Sequence, residues 1–125
     1  MPDKRVLSIG QCAADHGALA RTFRKHFNAE VVPADAGTEA VARLGNETFD
    51  LVLVNRVLDA DGSSGLAVLR ALKADAKTRQ VPAMLVSNHD DAQREAVAAG
   101  ALPGFGKAAL GQAHMLARVR PLLEA

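Results

Sequence analysis

The chain has 125 residues, a length that suits one domain around one core, and 49% of them are hydrophobic. Lys and Arg number 15 against 14 Asp and Glu, for a net charge of +1, and aromatics make up 3%, with neither Trp nor Tyr. With no basic stripe and few aromatics to stack on bases, direct nucleic-acid binding is not expected. One cysteine, Cys12, rules out an internal disulfide framework and a Cys-based zinc site. The opening MPDKRVLSIG has too short an apolar run for a signal peptide, and no segment reaches the ~18 apolar residues of a membrane span. A cytoplasmic chain forming one domain over residues 1–125, away from membranes, is the expectation.

RVLSI at 5–9 is a short apolar run stopped by Gly10. From Ala13 to Phe27, the residues Leu19, Phe23 and Phe27 recur every four positions, one stripe of an amphipathic helix. EVVP at 30–33 predicts a second strand, ended by a proline that cannot donate to a ladder. GTEAVARL at 37–44 predicts a short helix with Val41 and Leu44 inward and Gly45 as its stop. LVLV at 51–54 is apolar without alternation, the mark of a strand covered on both faces.

After a loop rich in Asp and Gly, GLAVLRALK at 65–73 places Leu66, Leu69 and Leu72 at helical spacing. AMLVS at 83–87 is another doubly covered strand. DDAQREAVAAG at 90–100 is a helix with acids at its positive end and glycine at its exit. LPGFGK at 102–107 predicts a last strand. Residues 111–123 form a closing helix with Met115, Leu116, Val119, Leu122 and Leu123 inward and Pro121 in its final turn.

The order βαβαβαβαβα implies an α/β fold with parallel pairing, right-handed crossovers and a sheet covered on both faces. In such folds chemistry gathers at the C-terminal ends of the strands. Those ends are Gly10–Cys12, Asn55, Ser87–Asp90 and Lys107.

Three stretches carry a resemblance: FDLVLVN before its Asp/Gly loop, VPAMLVS, and AAGA…K from Ala98 to Lys107. Over essentially its whole length the chain resembles a receiver domain of bacterial two-component response regulators. The resemblance implies a flavodoxin-like, doubly wound five-stranded parallel sheet of order 2-1-3-4-5, a (βα)5 unit. It also implies phosphoryl transfer to an aspartate after the third strand. An acid pair after the first strand would help to hold magnesium, and a hydroxyl after the fourth and a lysine after the fifth would hold the phosphoryl oxygens. Those positions fall on Gly10 and Gln11, Asn55, Ser87 and Lys107. Ser87 and Lys107 keep the family's residue types; the three acids are gone. The family's switch aromatic, three residues before the lysine, is Gly104, with Phe105 on the opposite side of the strand as core. The proline that follows the lysine is Ala108, and the loop after Asn55 is longer than the family's.

An amide cannot form an acyl phosphate and is a poor magnesium ligand. The resemblance therefore implies a degenerate receiver, or pseudo-receiver: not an enzyme, with no cofactor and no metal, acting through protein partners in two-component or phosphorelay signalling. The partner is a kinase docking on the first helix, an output domain, or a second copy meeting the fourth helix, fifth strand and fifth helix. That face comprises residues 91–98, 104–106 and 111–123. In the pocket, Lys107 is expected to donate to the Asn55 amide oxygen, and Asp restored at 10, 11 and 55 is expected to rebuild a divalent-metal site.

Two alternatives stand beside this reading. The cleft by Asn55, Ser87 and Lys107 is a candidate site for a small molecule or anion. Cys12, just before a helix N-terminus and near His16 and His89, is a candidate redox thiol. Asp59 and Asp61 read as solvated turn acids, and His26 and His114 as residues of solvated or partly buried helix faces. PGFGKAA is not a phosphate loop, having Ala101 where Gly is needed and Ala108 where Ser or Thr is needed. DADG lacks the spacing and final Glu of a calcium loop.

Overall fold

The computed structural model describes residues 4–124, so the first three residues of MPDKRVLSIG lie outside it. Five strands alternate with five helices: β1 Lys4–Ile9, α1 Ala13–Phe27, β2 Ala29–Ala34, α2 Gly37–Asn46, β3 Leu51–Asn55, α3 Gly65–Ala74, β4 Ala83–Val86, α4 Asp90–Ala98, β5 Leu102–Phe105 and α5 Ala113–Leu123. A 3-10 turn, Lys107–Ala109, lies between β5 and α5. The strands form one sheet of order β2-β1-β3-β4-β5, with every pairing parallel. No helix among the described residues is long and apolar enough to cross a membrane.

Alternation along each strand sorts its side chains between two cores. Leu7, Ile9, Val52, Val54 and Leu85 face α2, α3 and α4, meeting Ala40, Leu69, Leu72 and Ala96. Val6, Leu51, Leu53, Met84 and Val86 face α1 and α5, meeting Leu19, Phe23, Met115, Val119 and Leu123. The middle strands read as unbroken apolar runs because each face has its own cover. Phe105 is buried and its ring centroid lies 6.4 Å from that of Phe23, so it belongs to the second core.

Several boundaries move for identifiable reasons. β2 runs through Pro33 to Ala34; it is an edge strand, where a missing donor is tolerated. Helix α2 continues past Gly45 to Asn46, and its buried residue is Ala40, while Val41 is 45% exposed. The inward stripe is thus Ala40 and Leu44, one position away from the expected one. β4 stops at Val86, α4 at Ala98 and β5 at Phe105. Against β4, Met84 pairs with Leu102 but Val86 pairs with Phe105, so β5 bulges by one residue at Pro103–Gly104. The start of α5 is delayed to Ala113 by Gly111, whose φ of 83° a helix cannot contain.

Candidate functional site

Gly10 ends β1 with φ 77°, a left-handed conformation that favours glycine. Its N–H donates to the Ala34 carbonyl at 2.7 Å. Its carbonyl accepts twice, from Asn55 Nδ2 at 3.0 Å and from the Asp59 N–H at 2.9 Å. A Cβ at position 10 would overlap Leu58 Cγ and stand 3.0 Å from Leu58 Cα. Leu58 itself is buried.

The loop after β3 explains how Leu58 gets there. Val57 and Ser64 form an antiparallel bridge, and the Leu58 N–H donates to the Ser63 carbonyl at 2.9 Å. The Gly62 N–H donates back to the Leu58 carbonyl at 2.8 Å. The loop therefore folds into a miniature hairpin that drops one apolar side chain onto Gly10. Asp59 and Asp61 remain exposed at its tip, and Asp61 Oδ1 accepts from the Ser63 N–H at 2.9 Å.

This geometry accounts for an amide at the end of the most apolar strand. The Gly10 carbonyl can only accept, so the group facing it must donate. Asn donates at any pH, whereas an ionised Asp would set oxygen against oxygen. Asn55 is a joint between the ends of β1 and β3.

Lys107 does not pair with Asn55. Its Nζ donates to Asp15 Oδ2 at 2.6 Å, bridging the end of β5 to the first turn of α1. Lys107, and after it the Cys12 thiol, holds the Asp15 carboxyl below the usual carboxylate range. The expected Lys107–Asn55 hydrogen bond is corrected because a carboxylate outcompetes a neutral amide for an ammonium. Cys12 is the half-buried N-cap residue of α1 and engages Asp15, whereas His89 lines the cleft beside Ser87.

Ser87 is buried, and its hydroxyl oxygen accepts from the His89 N–H at 3.1 Å. Asn88 Oδ1 accepts from the Ala108 N–H at 3.2 Å, tying the β4–α4 loop to the 3-10 turn. Asn55, Ser87 and Lys107 line one cleft of about 270 Å³. Gln11 lies outside that lining; its Nε2 and Oε1 are shut from solvent without a hydrogen-bond partner among the described residues.

Gly104 lies away from this cleft, on the α4 side of β5. Its N–H donates to Gln93 Oε1 at 3.0 Å, while Gln93 Nε2 donates to the Leu85 and Ser87 carbonyls at 2.9 and 3.1 Å. Arg118 Nη1 donates to the Gly104 carbonyl from α5. A Cβ at 104 would overlap the Leu85 carbonyl oxygen. Gln93 and Arg118 thus form a cross-brace over Gly104.

A magnesium ion wants near-octahedral oxygen with one or two carboxylates. Gly10 offers no side chain, Leu58 occupies the space beside it, Asn55 turns its NH2 to that side, and Asp15 is tied to Lys107. The residues present do not fit the ion. An Asp at position 10 would have to displace Leu58, whose Cγ lies where its Cβ would stand. Sequence reasoning missed Asp15, Leu58 and Gln93. An acid in the first turn of α1 and a lone Leu between Asn55 and the Asp/Gly turn were the available signals.

No family model matches the chain, and no curated protein does. Solved structures do. A response regulator structure from Chloroflexus aurantiacus superposes with a TM-score of 0.84 at 19% identity, over 98% of each chain. The signal receiver domain of a DNA-binding response regulator from Colwellia psychrerythraea gives 0.80 at 23% identity, over 98% of this chain and all of that one. The receiver domain of a signal transduction histidine kinase from Syntrophus aciditrophicus gives 0.76 at 21% identity, over 96% and 89%. With strand order, element count and full-length superposition in agreement, the chain has the fold of response-regulator receiver domains.

Proposed function

We propose that this chain is a receiver-like signalling module that works by protein–protein contact and has given up phosphoryl transfer. One observation carries the reading: Asn55 spends its amide on the Gly10 carbonyl while Leu58 packs over Gly10. The place where phosphoryl chemistry needs a carboxylate and a metal is used as a structural joint. Positioning and charge neutralisation supply nearly all the catalysis of phosphoryl transfer, so their loss is decisive. The module is not an enzyme and operates in the cytoplasm.

The contact face is α4–β5–α5. Val97 and Leu102 are exposed there at 44% and 39%, and Val97 lines a surface groove with Arg94, Pro103 and Arg118. The Gln93 and Arg118 hydrogen bonds hold that face in one arrangement, which supports docking of an output domain or a second copy without phosphate control, with α1 left for a kinase. The test is intact mass after treatment with acetyl phosphate and magnesium. Unchanged mass is expected; a base-labile phosphoryl group would overturn the proposal.

A further inference from the structure

We propose that the cleft between the β3–α3 hairpin and α4 binds a small zwitterion whose two charges are separated by an apolar spacer. Its carboxylate would meet Arg56 and its ammonium would meet Glu95 and Asp91. Neither Ser87 nor Lys107 lines this cleft, so it is a different site from the polar cleft at the strand ends.

The hairpin builds one wall. Val57 bridges Ser64, and the Gly65 N–H donates to the Arg56 carbonyl at 2.8 Å. A Cβ at 65 would overlap the Asn55 carbonyl oxygen, so α3 starts pressed against the base of the hairpin. Arg56 therefore extends from a backbone tied on both sides. The other wall is α4, where Asp91 and Glu95 lie four positions apart and share a face. The cleft measures about 570 Å³, within the ~300–1,000 Å³ of small-molecule sites.

Charge along the cleft has a direction. Arg56 and His89 also line the smaller cleft beside Asn55, whereas Asp91, Ala92 and Glu95 line only the larger one. The guanidinium end therefore faces the strand ends, and the acidic end runs out along α4. Val57, Leu66 and Ala92 supply apolar lining. A ligand with one charge leaves the opposite group unmatched. A ligand with adjacent charges cannot reach both ends, and this selects a spacer.

Both ends are free to pair. Arg56 and Glu95 are exposed and enter no ion pair among the described residues. Asp91 meets Arg94 at 3.7 Å, but the two side chains are 86% and 75% exposed, and solvent screens such a contact. A guanidinium fork matches both oxygens of a carboxylate.

The experiment is an amide-shift titration of the chain with ε-aminocaproate, and separately with caproate and hexylamine, at ionic strength held constant with sodium chloride. Saturable shifts at residues 56–57, 62–66 and 89–95 are expected for the zwitterion. Caproate and hexylamine should each bind roughly tenfold more weakly, because each lacks one charge-assisted contact. Arg56→Ala should weaken ε-aminocaproate roughly tenfold and leave hexylamine unchanged; Glu95→Gln should weaken it likewise and leave caproate unchanged. Both substitutions are at exposed positions, and retained dispersion of the amide spectrum checks that the variants fold. Shifts that never saturate, equal affinity for a singly charged probe, or saturable shifts centred on residues 55, 87 and 107 overturn the proposal. Such a failure leaves the reading of the chain as a protein-contact module intact, because that reading is tested by intact mass.

Discussion

The strand-end surface has two halves built on opposite principles. On the β1–β3 side, a glycine, an amide and a leucine close the surface with hydrogen bonds and apolar contact. On the β4–β5 side, Ser87, Asn88 and Lys107 keep an open, polar cleft in which an acid from α1 balances Lys107. In the family this fold resembles, one site spans both halves, with metal on one side and phosphoryl oxygens on the other. In this chain the β1–β3 half is packing, while the β4–β5 half keeps polar groups open to the cleft. The difference teaches that the two halves are held independently: Leu58 fills the space beside Gly10 without closing the space beside Ser87.

The strongest way to break this contrast is Gly10→Ala. The left-handed backbone and the overlap with Leu58 should together cost roughly 2–5 kcal/mol, measured by urea unfolding. Leu58→Ala alone should cost about 2–5 kcal/mol, and the double variant should cost less than the sum because the clash is gone. A near-neutral Gly10→Ala would mean that the β1–β3 half is not packed shut.

A smaller effect is expected for Asn55→Asp, about 1–3 kcal/mol at pH 7. The new carboxylate would face the Gly10 carbonyl oxygen, which raises its folded-state pKa above the unfolded value of ~3.9. The penalty should therefore be full above the raised value and vanish below the unfolded one, where the protonated acid can donate. A variant as stable as the parent at pH 7 would mean that Lys107 had swung from Asp15 to the new acid, joining the two halves.

The smallest effect belongs to Asp15→Asn. Both partners of the Asp15–Lys107 pair are more than a third exposed, 34% and 39%, so solvent screening limits the loss to about 0.2–1 kcal/mol. Because the Asp15 carboxyl is held below its ordinary value, the pair's contribution is present above the unfolded value. It fades as pH falls through the lower folded one. Thermal unfolding of parent and variant across that acid range, at low and high salt, checks both the sign and the screening.

Element order and type were legible because apolar periodicity follows directly from which faces are covered. LVLV could only be a doubly covered strand, and Leu19, Phe23 and Phe27 could only share one helix stripe. Where the pattern was thin, the register slipped. In α2 the small residue Ala40 is the buried one and Val41 faces out. The bulge at Pro103–Gly104 moved Lys107 out of the strand and into a turn.

By itself, the sequence determined the five-fold alternation, the two-sided core and the Gly10, Gln11 and Asn55 that stand at the ends of β1 and β3, since each is a property of residue type and spacing. Only the tertiary structure decided what those residues meet. Asp15 meets Lys107 across 92 positions of sequence, and Asn55 meets Gly10 across 45. Leu58 reaches Gly10 only because its loop closes on itself. Hydrogen-bond partners and packing depend on distances of a few ångströms between elements remote in the chain, and no local pattern encodes those distances.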